Sequence, residues 1–209
     1  MSTVGLEKPA IVDCGVAGRP LEPRAVSGDL HVIKSFGYGA LLAVIDGVGH
    51  GGAAAAAAAA AADVMQKQTA ESVISIVKHC HEAIVKTRGA VLTVAWLNAL
   101  DNTVTWLGVG NVEGRLLRAD AGNSHPIESV LLRNGLVGLH LPALHAGVLS
   151  LAPGDLLIFA TDGIGPGFEH GLNRAEPPQQ IADQILNQHF KGSDDALVLA
   201  ARYLGTPHE

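Results

Sequence analysis

Asp46-Gly47-Val48-Gly49-His50-Gly51-Gly52 joins an unbroken apolar run, residues 40–45, to ten consecutive alanines, residues 53–62. An apolar run closed by an acidic residue and glycines reads as a buried strand. Alanine is the strongest helix former, and its small side chain lets a helix lie close on a sheet. The stretch is therefore read as strand, glycine-rich loop and helix. Upstream, the alternating Asp29-Leu30-His31-Val32-Ile33-Lys34 reads as a half-buried strand, turned into the next by Gly37-Tyr38-Gly39. Downstream, Val73, Ile74, Val77, Ile84 and Val85 stand near helical spacing and predict a second helix over residues 70–87. From residue 90 the pattern returns to strands: 91–97, 103–109, 114–118, 129–133, 148–151 and 156–161. Pro177-Pro178 precedes a helix over 179–189, and residues 196–201 form a last buried strand.

Many strands, with two helices in one connection and a third near the end, predict an α+β sandwich. Its antiparallel sheets pack face to face and its helices lie outside. No linker, repeat or charge block divides the chain, so residues 1–209 read as one domain. Hydrophobic residues make up 48% and charged ones 16%, a balance that excludes disorder. The net charge of −6 comes with no dense Lys/Arg block, so no cationic face for nucleic acid is expected. The alanine run is the longest uniform stretch and is too short to span a bilayer. Met1 to Pro9 lacks a charged region followed by an apolar one, so no signal peptide is expected. Cys14 and Cys80 make neither a CxxC pair nor a disulfide framework. A cytoplasmic protein is the simplest expectation.

Four acidic sites share one setting, the boundary between a predicted strand and a tight turn. Asp29 follows Ser27-Gly28, Asp46 precedes Gly47, Asp162 precedes Gly163, and Asp194-Asp195 follows Gly192-Ser193. Asp before Gly is ordinary turn chemistry, and each alone reads that way. Four in a chain this short change the balance. If those strand ends converge, the carboxylates cannot all stay ionised without cations. Oxygen ligands without His or Cys select Mg²⁺ or Mn²⁺.

These motifs, in this order, resemble those of the metal-dependent PPM (PP2C-like) serine/threonine phosphatases. The segments are Ser27-Gly28-Asp29, Asp46-Gly47-Val48-Gly49-His50-Gly51, Leu151-Ala152-Pro153-Gly154-Asp155 running on to Ala160-Thr161-Asp162-Gly163, and Ser193-Asp194-Asp195-Ala196. The chain is most similar to the bacterial SpoIIE-type branch, over residues 27–201. The resemblance implies an αββα sandwich with two metal ions, Mn²⁺ or Mg²⁺, at one end. It implies that Asp46 bridges both ions, that the Gly47 carbonyl completes one shell, and that Asp162 and Asp194 serve the other ion. Asp29 would orient water or help hold a looser ion. Arg24 stands where many relatives place a phosphate-binding arginine; the alternative is a solvated loop cation. A hydroxide bridging the metals would attack phosphorus in line. No Cys-x5-Arg signature is present, so Cys14 and Cys80 read as structural.

Within that branch, a short domain without a sensor resembles the phosphatases that reset the stressosome. The implied substrates are phosphoserine or phosphothreonine on STAS-domain proteins, with negative feedback on a stress response. His50 reads as a helix-start histidine hydrogen-bonded within its own loop rather than as a leaving-group acid. Two features depart from the family: Ala196-Leu197 occupies the place where most relatives carry a Thr, and the alanine run replaces a mixed first helix. Two other readings stay open. One is a catalytically inactive relative that only binds. The other is a phosphate-cradling loop at residues 46–52, which lacks the Lys-Ser/Thr of a P-loop. Asp46→Ala or Asp162→Ala should abolish phosphatase activity while the far-ultraviolet circular dichroism stays unchanged, because each empties a solvent-facing site rather than the core. Retained activity in both variants would sink the metal assignment.

Overall fold

The computed structural model describes residues 10–22, 25–67, 72–120 and 125–206. Its elements are β1 (Val12–Arg19), β2 (Asp29–Phe36), β3 (Gly39–Gly47), α1 (Gly52–Lys67), α2 (Val73–Ala83), β4 (Ala90–Asn98) and β5 (Thr103–Val109), then β6 (Glu113–Leu117), β7 (Ile127–Ser129), β8 (Leu132–Arg133), β9 (Gly147–Ser150), β10 (Leu156–Ala160), α3 (Pro178–His189) and β11 (Ala196–Tyr203). One sheet has the order β1-β11-β10-β6-β7 and the other β2-β3-β4-β5-β8, with β9 also on β5. Of the paired strands, only the two-residue β5–β8 contact is parallel. The expected α+β sandwich is the observed one.

Alternation along β3 explains its uninterrupted apolar sequence. Ala40, Leu42 and Val44 face the space between the sheets, where Leu97, Trp106, Phe159, Leu199 and Tyr203 meet them. Leu41, Ala43 and Ile45 face the other way, onto Ala58, Ala61, Ile76 and Cys80 of the helices. A strand covered on both faces needs apolar residues at every position. On the far side, Ile181, Ala182 and Ile185 of α3 pack on Ile158, Val198 and Ala200. The layers are thus helix, sheet, sheet, helix, with three apolar seams. No helix of the described residues is long and apolar enough to cross a membrane.

The alanines do what small side chains permit. Ala54, Ala57, Ala58 and Ala61 are fully buried against the second sheet. At Gly47 the helix comes so near that a Cβ would stand 2.1 Å from the Ala54 carbonyl oxygen. The helix start and the strand end are therefore held backbone to backbone.

Three elements differ from the sequence reading. The strand expected over residues 129–133 is two pieces, because the chain changes sheets there. β7 pairs with β6 and β8 with β5, while Val130 between them is buried in the inter-sheet core. α2 is shorter than residues 70–87. Ser72 caps its start through the Ser75 amide, and Thr87 closes the turn after its end through the Ile84 carbonyl. Residues 70 and 71 lie outside the described residues. Strand β1 carried no recognisable pattern, because Gly15 and Gly18 interrupt it. Gly15 answers to packing: a Cβ there would fall 2.1 Å from the Gln179 amide nitrogen of α3. The Gln179 side chain also accepts from the Val16 amide at 3.0 Å and donates to the Val16 carbonyl at 2.9 Å, covering the sheet's edge.

Gly15→Ala should therefore push α3 off the sheet and destabilise the fold by about 1–3 kcal/mol. Thermal unfolding should show a midpoint several degrees lower, whereas Gly18→Ala, whose Cβ would meet only ordinary contacts, should stay near the parent. Equal midpoints for the two variants would contradict this packing account.

Candidate active site

The β2–β3 register sets Asp29 directly opposite Asp46 at the open end of that hairpin. In the other sheet, Ala160 at the end of β10 pairs with Val198 near the start of β11. Asp162 follows that strand end and Asp194-Asp195 precedes that strand start, so both belong to the same corner. Thr161 joins the two sheets. Its hydroxyl donates to Asp29 Oδ2 at 2.8 Å and accepts from the Leu197 amide at 2.9 Å. The acidic turns that the sequence singled out therefore come from two strand pairs, one per sheet, at one end of the sandwich.

Each carboxylate is held differently. Asp162 Oδ2 accepts from the Asn111 amide group at 2.8 Å. Lys191 clamps the same turn twice: its Nζ donates to the Asp162 carbonyl at 2.7 Å and its amide to the Gly163 carbonyl at 2.9 Å. Asp195, buried, accepts from the Leu21 and Gly28 amides, both at 2.7 Å. Asp194 is half-buried and accepts from the Asp195 amide at 2.8 Å. No donor among the described residues reaches the half-buried carboxylate of Asp46.

The cluster's electrostatics follow from that geometry. Burial pushes Asp46 up to about 8, and the charges of Asp29, Asp162, Asp194 and Asp195 add to it. Burial likewise pushes Asp29 up to about 7; the Thr161 hydroxyl opposes this, and Asp195, Asp162 and Asp194 reinforce it. Two carboxylates raised by burial and by the charges around them share a site whose full ionisation needs an outside positive charge. The donor set is all oxygen, which suits a hard divalent cation. No group of three Asp, Glu, His or Cys side chains among the described residues is gathered tightly enough to enclose an ion unaided. Magnesium bound through one or two carboxylates and several waters needs no such enclosure, so the residues fit.

Asp29, Asp46, Gly47, Asp162 and Asp194 all reach this end. Arg24 lies outside the described residues, although Asp195 holds the chain on both sides of it, at Leu21 and Gly28. His50 is exposed, and no hydrogen bond within its loop is found among the described residues, which corrects the expectation of a loop-bonded histidine. Gly47 and Gly163 have a packing reason beyond any approach to an ion: a Cβ on Gly163 would stand 2.0 Å from the Asp195 carbonyl oxygen. Cys80 is buried and Cys14 partly so, and burial pushes both thiols up to about 12, which keeps them protonated and inert. The sequence reading passed over Thr161, Asn111, Lys191 and the anchoring task of Asp195. Thr161 and Asp195 stood inside the quoted motifs, and Asn111 in a glycine-flanked turn. Asn111, Thr161, Asp162 and Lys191 line a cavity of about 290 Å³ beside the cluster.

The helix-clad double sheet and the acid-lined end define a PP2C-type serine/threonine phosphatase domain. The sequence model of the family described as Stage II sporulation protein E (SpoIIE) matches residues 37–204, and the chain belongs to the SpoIIE family. It is 25% identical to phosphoserine phosphatase RsbX of Bacillus subtilis (strain 168), over 83% of this chain and 86% of that protein. Among solved structures, it resembles a chain from work on the bacterial stressosome, a modular system adapted to control secondary messenger signalling. That likeness has a TM-score of 0.82 and 27% identity, covering 91% of this chain and 99% of the other. It also resembles RsbX in complex with magnesium, at TM-score 0.81 and 23% identity, over 92% of this chain and 95% of that one.

The raised carboxylates set a pH dependence whose sign can be worked out. Folded Asp46 and Asp29 hold protons that the unfolded chain releases near its ordinary carboxylate range, so stability is fully present at low pH. It is lost as pH rises from about 4 through about 8. In excess EDTA the unfolding midpoint should fall between pH 5 and pH 8.5, and Asp46→Asn should flatten that fall. A midpoint that rises over this window, or an unchanged slope in Asp46→Asn, would contradict the assignment.

Proposed function

We propose that this domain dephosphorylates phosphoserine or phosphothreonine on STAS-domain proteins of a stressosome-like complex. It would work with two Mn²⁺ or Mg²⁺ ions and give negative feedback on a stress response. The observation that carries the metal reading is the meeting of Asp29, Asp46, Asp162 and Asp194 at one end of the sandwich, with Asp46 left without a donor among the described residues. Support for the substrate comes from the likeness to RsbX and to the stressosome chain, and support for the ion from RsbX crystallised with magnesium. We place the protein in the cytoplasm, in keeping with its two free thiols.

Asp46, the Gly47 carbonyl, Asp162 and Asp194 would hold the ions. Bound there, divalent cations bring the pKa of water toward neutrality and offset charge on phosphoryl oxygens. The chain's own residues supply placement. Asn111 occupies Asp162 Oδ2 and so fixes the rotation of that carboxylate. Lys191 fixes the backbone of the same turn and places an ammonium beside it. Thr161 occupies Asp29 Oδ2, which leaves Oδ1 to accept a hydrogen bond from attacking water. Asp195 anchors the segment that carries Arg24, the candidate clamp for phosphoryl oxygens. No protein nucleophile is needed, and the inert thiols offer none.

The test is release of phosphate from a phosphorylated STAS-domain protein, compared with an unrelated phosphoserine protein, in Mn²⁺, Mg²⁺ and EDTA. The expected result is metal-dependent release that EDTA abolishes and that favours the STAS protein. Release that persists in EDTA would refute the metal reading. Efficient release from the unrelated protein alone would refute the substrate.

A further inference from the structure

An arginine without a partner among the described residues stands at the edge of the second sheet. Arg133 closes β8 opposite Val109 of β5, and its carbonyl accepts the Gly110 amide at 2.9 Å. Its Nε is buried, and no acceptor reaches it. Among the described residues, no carboxylate pairs with its guanidinium. Other partly buried arginines among the described residues are handled otherwise. Arg115 bridges Glu113 and Glu169, Arg118 bridges Glu128 and Asp155, and Arg202 donates to the carbonyls of Arg174 and Glu176. The sequence offers 20 acidic residues against 14 Lys and Arg, so partners are not scarce. A half-buried guanidinium donor left without an acceptor loses its hydration and gains nothing in return.

The surroundings show what would complete it. Arg133 lines a cavity of about 380 Å³ together with Asn134 and His145, and no acidic side chain faces that space. Arginine's planar fork matches an oxyanion in two-point contact. The register also ties the cavity to the catalytic end. Asp46 faces Val91 on β4, Leu92 faces Val109 on β5, and Val109 faces Arg133. Three strand spacings of about 4.8 Å put the Arg133 main chain roughly 14 Å from that of Asp46. About four extended residues span that distance.

We propose that this cavity is a docking site for an acidic side chain of the phosphoprotein substrate, lying a few residues from the phosphorylated one. The proposal rests on the phosphatase reading above and adds a specificity determinant that none of the metal-site residues supplies. The test uses the full chain and phosphoserine peptides carrying either Glu or Gln at each of several flanking positions, with para-nitrophenyl phosphate as the control. The wild-type chain should favour Glu at about the fourth position by about tenfold in kcat/KM, through KM, the scale of one charge-assisted contact. Arg133→Gln should erase that preference and leave turnover of para-nitrophenyl phosphate unchanged. Arg133→Lys keeps length and charge but loses the fork, so it should lose most of the preference even if the Gln variant folds poorly. No Glu preference in the wild-type chain, or a preference that survives in both variants, would overturn the proposal. Failure of the wild-type chain to hydrolyse either peptide or control would instead overturn the phosphatase reading and this site with it.

Discussion

Mutual repulsion among carboxylates at one end of the sandwich is the constraint to which the rest of the structure answers. Asp29 faces Asp46 across a strand pair, and both are raised by burial and by Asp162, Asp194 and Asp195. Such a cluster weakens the fold that carries it, because charged groups lose hydration and repel one another. It persists only if the scaffold is stiff enough to keep strand ends from spreading. The neighbouring donors serve that end unequally. Asp195 has both oxygens engaged by amides, Asp29 one by Thr161, Asp162 one by Asn111, and Asp46 none among the described residues. Asp46 is thus the carboxylate with most to gain from an outside positive charge.

Stiffness comes from backbone packed on backbone. Helix α1 rests on Gly47 with no side chain between them, and α3 rests on Gly15 in the same manner. The loop before β11 rests on Gly163. The alanine run belongs to this design rather than to low-complexity disorder, because larger residues at 54, 57, 58 and 61 would hold the helix away from the sheet. Thr161 adds a side-chain link that ties Asp29 of one sheet to Leu197 of the other.

Much of this was legible in the sequence, and for physical reasons. Strand β3 could be read because burial on both faces demands an apolar residue at every position. The Asp-Gly pairs could be read because tight turns and close packing both need glycine. What could not be read depended on contacts distant in the chain. Gly15 of β1 looks like a strand breaker until α3 is seen on top of it. The β7–β8 break reflects a change of sheet at Val130, which leaves no local mark in an otherwise apolar run. The anchoring task of Asp195, which holds the Leu21 and Gly28 amides, depends on residues more than 160 positions away in the chain. Asn111 meets Asp162 from 51 residues away, and only the fold brings them together.

The account stands or falls on whether the acidic end takes up cations in exchange for protons. Calorimetric titration of Mn²⁺ into the chain at pH 7, repeated in two buffers of different ionisation enthalpy, measures both quantities together. The predicted result is binding to the wild-type chain with net proton release, and loss of both binding and release in Asp46→Asn. Binding whose heat is the same in both buffers, or that survives unchanged in Asp46→Asn, would contradict it.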